Sequence, residues 1–551
     1  MARATFLLLF LAPILFCACK EETRPVAAVP VDAQEGPTWF SDAAASRGID
    51  FTLGATLGSE PLLPEIVAGG GAAIDIDDDG WMDLYLLQAT APEGNVLLRN
   101  NGDGTFQDIS EGSGARDTGF GMGAATGDYD GDGDMDIYIS NHGPNTLLRN
   151  NGDGTFTDVS TDSGTSHPGF GASATFFDGD QDGDLDLFVT NYVDWALDRE
   201  LECRSRTGEL EYCAPVNYES PSADVLYRNN GDGTFTDISS SSGIADALGN
   251  GLGVVARDFN GDQLQDIFVA NDGNPDRLWI NLGSMRFKDA AMQLGCDRDI
   301  SGTPKAGMGV VGEDIDDDGD IDLLVCNLVG ETDSLFINQN GRFTDATGQR
   351  GLAAVSRGFT RFGIGLVDFD NDSQFDLFEA NGRVGKRAPA WADDPYAEPN
   401  LLFRGAPDGQ FQEVSPRGGV KDQAARTSRG AIFLDIDNDG GQDILVINRE
   451  APARLLVNEA PARGNWVMLD IRNANGAPAI GAHVTARLGE RTIHRHVHTD
   501  GSYLTGNDPR LHIGLGDAES LQDVRVIWPD GSAVTMSEIP AGSIMRIDPE
   551  G

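Results

Sequence analysis

One nine-residue pattern in this chain can do chemistry by itself: Asp-x-Asp-x-Asp-Gly-x-x-Asp, written seven times. The first three sets are Asp75, Asp77, Asp79 and Asp83; Asp128, Asp130, Asp132 and Asp136; and Asp178, Asp180, Asp182 and Asp186. The fourth and fifth are Asp258, Asn260, Asp262 and Asp266, then Asp314, Asp316, Asp318 and Asp322. Asp368, Asp370, Asp372 and Asp376 form the sixth, and Asp435, Asp437, Asp439 and Asp443 the seventh. Side chains at positions 1, 3 and 5 of such a turn converge. Position 7 offers a carbonyl, and the carboxylate at position 9 closes the set. Hard oxygen donors in that number suit calcium, which takes about six to eight oxygen ligands. Carboxylates held so close repel one another, so the loop is strained without a cation. The expectation is about five to seven calcium ions. Loops four and six depart from the pattern: Asn260 replaces an Asp, and Gln263 and Ser373 replace the glycine that permits the sharp turn.

The helix-loop-helix calcium hand is excluded. It needs a bidentate acid at position 12. Here that position holds Leu86, Ile139, Val189, Val269, Val325 and Val446, and only the sixth loop has an acid, Glu379. Magnesium fits less well because it keeps several waters and needs fewer protein ligands.

The elements that position these loops also repeat. Before each loop runs a glycine-rich apolar segment, such as Gly121 to Ala125. After it runs a β-rich segment, such as Asp136 to Ser140. A third strand follows, then an Asn-Gly-Asp-Gly turn at 101–104, 151–154 and 230–233, a strong hairpin signal. A fourth strand such as Thr155 to Val159 closes the unit. Seven four-stranded units predict a seven-bladed β-propeller over residues 38–460. The seventh unit lacks its last strand. Trp39-Phe40-Ser41-Asp42 matches that strand and is expected to complete the unit and close the ring. Residues 461–551 read as a small β-sandwich-like domain, so the fold class is all-β.

In a four-stranded meander the Asp loops and the Asn-Gly-Asp-Gly turns share one face. Two long insertions then share the opposite face. One runs from Tyr192 to Ala223 and carries Trp195, Tyr212, Cys203 and Cys213. The other runs from Gly382 to Pro399 and carries Arg387 and Trp391. Aromatics beside arginines are typical recognition residues. Trp195, Tyr212, Arg387 and Trp391 are therefore the candidates for binding an unidentified protein or glycan. An Asn at the end of each second strand (Asn141, Asn191, Asn271, Asn327, Asn381, Asn448) reads as a turn cap. His494, His496 and His498 alternate and share one strand face. They could hold zinc or copper, but a solvated strand face is the expected reading.

The first 19 residues read as an export signal, with Arg3 before an apolar run from Phe6 to Phe16. Leu15-Phe16-Cys17-Ala18-Cys19 resembles a bacterial lipobox with Cys19 acylated. The expectation is an outer-membrane or cell-surface lipoprotein, with plain secretion as the alternative. Residues 20–37 read as a flexible tether. Export favours disulfides, and Cys203–Cys213 and Cys296–Cys326 are the expected pairs. A net charge of -49 argues against nucleic acid and against adsorption to anionic lipid, leaving a lipid anchor as the one membrane contact.

The glycine-rich strand leading into each Asp loop resembles FG-GAP repeats of integrin α-subunit propellers and bacterial VCBS-type repeats. Asn475-Gly476, Ile480-Gly481-Ala482-His483-Val484, Leu511 to Gly516 and Trp528-Pro529-Asp530-Gly531 resemble the ASPIC/UnbV domain. The two resemblances together imply an extracellular, calcium-binding adhesion or interaction protein. No Gly-x-Ser-x-Gly elbow or His-Glu-x-x-His is present. His142 and His167, the two propeller histidines, pair with no acid and nucleophile. A non-enzymatic binding module is therefore the expected function. A polysaccharide-active or phosphodiester-cleaving enzyme and a structural spacer are the alternatives.

Overall fold

The computed structural model describes residues 36–549 except 59, 91, 207, 388–389 and 422–423. The export signal, Cys19 and the tether up to residue 35 lie outside the described residues.

Seven sheets form the ring among the described residues: six have four antiparallel strands, and the first adds Thr505–Gly506, parallel to Gly71–Ile74, as a fifth. Their first strands touch in sequence, from Gly71–Ile74 to Phe120–Gly127 and onward to Ser428–Leu434, which returns to Gly71–Ile74. Glycine makes this close approach possible. A Cβ on Gly123 would lie 2.3 Å from the Ala172 carbonyl oxygen, and one on Gly309 would lie 2.1 Å from that of Phe362. The second strands, such as Asp186–Asn191, are buried along their whole length, which explains their continuous apolar runs. Apolar layers fill the spaces between neighbouring sheets. One such layer joins Ala72, Ile74 and Tyr85 to Ala124, Ile137 and Leu148.

The last sheet is completed from the far end of the chain, as the sequence leads one to expect. Phe40–Asp42 pairs antiparallel with Arg454–Asn458, Phe40 opposite Asn458. This closure protects an edge that would otherwise be open.

The C-terminal region forms two sheets around one core. Asn465–Ile471 lies between Leu511–Gly516 and Ser543–Ile547. The second sheet orders Arg491–His496, His483–Leu488, Ser520–Ile527 and Ala533–Pro540. Val467, Leu469, Val484, Val526 and Trp528 fill the space between them. This is the β-sandwich-like arrangement expected.

The segment from Thr499 to Asn507 leaves the sandwich and threads the centre of the ring, touching all seven sheets. Gly71 and Ala124 donate to the Leu504 carbonyl, at 3.4 and 3.2 Å. Thr499 Oγ1 donates to the Thr126 carbonyl at 2.9 Å. Asp500 Oδ2 accepts from the Thr175 hydroxyl at 2.8 Å and from the Ala256 amide at 2.9 Å. Val310 and Ser502 exchange backbone hydrogen bonds of 3.0 and 2.8 Å. The Ser502 hydroxyl accepts from the Ile364 amide and donates to the Ala431 carbonyl. At the tip, Tyr503 is fully buried and its hydroxyl donates to the Val67 carbonyl at 2.8 Å.

Cys203 and Cys213 are disulfide-bonded as expected, with Cα atoms 5.3 Å apart. The expected Cys296–Cys326 bond is not formed, and both thiols are free and buried. They belong to different apolar clusters. Cys296 packs between the fourth and fifth sheets, whereas the Cys326 thiol donates to the Phe362 carbonyl at 3.0 Å near the central channel. Placing both residues toward one end of the ring did not capture this separation.

Asp500 and Arg257 form an ion pair of 2.8 Å with each side chain 3% exposed. Removing one partner of such a pair leaves an uncompensated buried charge. Asp500→Ala is expected to lower the free energy of unfolding by about 3 kcal/mol or more in chemical denaturation. A loss under about 1 kcal/mol would show that the channel segment is not braced by this pair.

Candidate metal centre

Each Asp loop is built from the same backbone turn. Position 6 is left-handed in every loop, including Gln263 at φ 73° and Ser373 at φ 70°. Loops four and six therefore keep the shape without the glycine, at the cost of a side chain in a region that favours glycine. Position 1 holds the turn together. In the first loop Asp75 Oδ1 accepts from the Asp79 amide at 3.1 Å and Oδ2 from the Gly80 amide at 3.0 Å.

Position 9 ties the loop to its sheet. Asp83 accepts from the Ile76 amide at 3.1 Å and the Asn100 amide at 2.6 Å. Asp136, Asp186, Asp266, Asp322, Asp376 and Asp443 make the equivalent pairs of bonds. Burial pushes the carboxyls of Asp83, Asp186, Asp266 and Asp322 up to about 8. It pushes those of Asp136, Asp376 and Asp443 well above the usual range. A carboxyl held this high keeps its proton near neutral pH unless a cation compensates its charge.

The loops bring positions 1, 3 and 9 together. Carboxylate oxygens of Asp75, Asp77 and Asp83 lie within 4.8 Å of one another. The same holds for Asp128, Asp130 and Asp136; Asp178, Asp180 and Asp186; Asp314, Asp316 and Asp322; and Asp368, Asp370 and Asp376. Position 5 is not part of these triads, and its Oδ1 caps its own turn, as where Asp132 accepts from the Asp134 amide at 3.0 Å. The position-3 oxygens Oδ1 of Asp77, Asp130, Asp180 and Asp370 are buried with no hydrogen-bond partner, as is Oδ1 of Asp178. Orphaned buried carboxylate oxygens within a compact all-oxygen donor set fit a hard divalent cation.

In the fourth loop Asn260 turns its amide to Asp262 Oδ2 at 3.1 Å. In the sixth, Arg404 reaches Asp370 at 2.7 Å and Asp372 at 2.8 Å. In the seventh, Arg47 pairs with Asp437 at 2.9 Å. Glu379 lies on a strand, fully buried and outside its loop, which removes the last resemblance to a calcium hand.

The C-terminal domain sits on the face that carries these loops. Arg472 and Arg546 each reach Asp78 at 3.1 Å. Asn475 donates to Asp128 Oδ2 at 2.7 Å. Arg491 pairs with Asp317, and Arg463 reaches Asp439 at 2.8 Å. Arg510 donates to Asn438 Oδ1 at 2.8 Å. Sequence reasoning did not identify this docking or the 499–507 segment. The available signal was a run of turn-forming residues around an apolar Tyr503-Leu504 pair, interrupting a domain of regular strands.

On the insertion face, the recognition candidates have different roles. Trp195 is buried, packs against His142 at 4.9 Å and donates to Glu200 at 2.6 Å. It builds the insertion rather than presenting a surface. Tyr212 accepts from Arg449 at 2.6 Å and packs at a 56° tilt against Tyr396, ring centroids 5.5 Å apart, so the two insertions meet. Arg387 lies over the Trp391 ring at 4.4 Å. The strand-end asparagines cap turns as expected: Asn191 donates to the Ala223 carbonyl and Asn448 to that of Pro452. The histidine run does not form a solvated face. It faces the propeller, and His498 Nε2 lies 2.9 Å from Glu313 Oε1.

Comparison with known proteins agrees with the repeat geometry. A model described as FG-GAP-like repeat matches residues 75–139, 128–189, 258–325 and 314–378, and one described as ASPIC and UnbV matches 472–551. The chain carries FG-GAP-like repeats followed by an ASPIC and UnbV domain. It is similar to cartilage acidic protein 1 of Xenopus tropicalis, 28% identical over 321 residues, 57% of this chain and 39% of that protein. The Homo sapiens protein is 27% identical over 323 residues, covering 57% and 38%. The match thus spans about two fifths of these relatives. Among solved structures, an Agrocybe aegerita lectin recognising terminal N-acetylglucosamine aligns with TM-score 0.38 at 15% identity, covering 70% of this chain and 86% of that one. YCF48 bound to D1 peptide aligns with TM-score 0.41 at 11% identity, covering 74% and 97%. Both likenesses are loose.

Asp136 and its near neighbour Asp134 separate structural from ornamental carboxylates. Asp136→Ala removes an acceptor from two buried amides and should cost about 2–4 kcal/mol. Asp134→Ala, at a partly exposed loop position, should change stability by less than about 0.5 kcal/mol in the same denaturation experiment. Equal effects would contradict the assignment of position 9.

Proposed function

We propose that this chain is an exported, calcium-braced propeller that acts as a non-enzymatic binding module through its insertion face. The carrying observation is the placement of the C-terminal domain. It occupies the Asp-loop face, and its 499–507 segment fills the channel, so the insertion face is the ring surface left for a partner. That face exposes apolar side chains from the first insertion, with Leu197 68% and Val216 48% exposed, beside the Arg387–Trp391 pair. Apolar and aromatic groups next to arginine suit a protein or glycan surface.

Calcium is the cation that best matches the all-oxygen donor set. The Cys203–Cys213 disulfide supports an oxidising compartment, in keeping with export and with a lipid anchor at Cys19. Extracellular modules bind calcium with Kd of roughly 10⁻⁴–10⁻³ M. At about ten times Kd, each site adds roughly 1.4 kcal/mol of stability. Five to seven sites then contribute on the order of 7–10 kcal/mol, comparable to the whole stability of a domain.

Thermal unfolding in millimolar calcium and in excess chelator tests the reading. The expected result is a fall in Tm of more than about 10 °C on chelation, with about five to seven calcium ions per chain after dialysis against calcium. An unchanged Tm and no bound calcium would overturn it.

A further inference from the structure

Three histidines of the C-terminal domain lie together where it meets the propeller. His483 opens one strand and is paired directly opposite His496, and His494 lies diagonally across from it on the same face. The rings form a stack. His483 and His496 have centroids 4.5 Å apart and planes 9° apart, and His483 and His494 are 5.5 Å and 14° apart.

Two observations set this stack apart from ordinary packing. His494 Nδ1 and His483 Nε2 approach to 3.4 Å. Metal–nitrogen bonds of about 2.0–2.1 Å at a tetrahedral angle put two nitrogens about 3.3 Å apart, so the observed spacing matches two ligands of one ion. In-plane lone pairs of near-parallel rings do not converge as placed, so ligation requires the rings to turn about the broad, soft histidine χ2 torsion. Second, His496 Nδ1 is buried with no hydrogen-bond partner. Such a nitrogen costs free energy unless a ligand uses it.

The electrostatics also favour neutral rings. Burial lowers the basicity of all three, His483 to about 4. A neutral imidazole is the form that ligates. The Asp317 carboxylate near His494 is itself ion-paired with Arg491 and Arg495, and Arg257 and Arg525 add positive potential at His496 and His483.

We infer that His483, His494 and His496 form a transition-metal site, for zinc or copper, at the junction of the C-terminal domain and the propeller. Nitrogen donors separate it chemically from the all-oxygen Asp loops: imidazole suits zinc and copper, whereas carboxylate suits calcium. The site thus accepts its ion in the presence of calcium. Only ligation is involved, and no bond is made or broken in the protein.

Titration of the full chain with Zn²⁺ alone, in millimolar calcium, tests the site. One ion per chain is expected. His483→Gln and His494→Gln should each weaken it by at least about tenfold, while His142→Gln, on the insertion face, should not. The melting temperature of each variant in calcium reports whether it is folded. Zinc X-ray absorption of the unsubstituted protein gives a readout independent of any variant. Imidazole scattering is expected, and an oxygen-only shell would overturn the assignment. So would absence of stoichiometric zinc, or unchanged affinity in either variant.

Discussion

Buried negative charge is the constraint on which this structure depends. Each sheet of the ring holds a nearly inaccessible aspartate at the base of its Asp loop, from Asp83 to Asp443. Its two oxygens fix the loop at one end and the last residue of the third strand, such as Asn100, at the other. The arrangement is rigid because both oxygens accept from backbone amides, and its charged form is costly because burial desolvates it. Several arginines on that face offset acidic charge in the loops. Arg404, on a strand, does so at Asp370, and Arg47, in the turn after Phe40–Asp42, does so at Asp437. The C-terminal domain brings Arg472, Arg491, Arg510 and Arg463 to the same rim. A divalent cation within the position 1, 3 and 9 cluster would complete the compensation.

This view joins the two domains into one device. The C-terminal sandwich both covers the Asp-loop face and fills the channel. Its 499–507 segment replaces solvent at the axis with backbone hydrogen bonds to several inner strands and an Asp500–Arg257 ion pair. The inner strands can come that close to it and to each other because they are rich in glycine. A side chain at Gly70 would collide with the Leu504 carbonyl, 2.4 Å from its Cβ position. Glycines that seem, in sequence, only to soften a strand are what admits the central segment.

The local repeat was legible because each unit carries its own signals within about 50 residues: glycine-rich strand, Asp turn, apolar strand and hairpin turn. Ring closure was legible too, since Phe40–Asp42 reproduces the pattern of a missing fourth strand. Interactions between distant segments were not. The free Cys296 and Cys326 thiols lie in different apolar layers, a separation that strand parity does not encode. The docking arginines are dispersed along the C-terminal domain and have no common spacing. Trp195 reads as a recognition residue by type, yet its neighbours His142 and Glu200 commit it to the scaffold. The histidine run reads as a polar strand face until its partner strand supplies His483 across from it.

Hydrogen exchange of the full chain, with calcium and with chelator, tests the central claim most directly. The claim is that cation-filled Asp loops hold the face on which the C-terminal domain and its channel segment depend. Chelation should then remove protection from the Asp-loop amides and from residues 499–507 together. Loops that lose protection while the Ser502 and Leu504 region stays protected would contradict it, and would make the channel segment a lock that works without the cations.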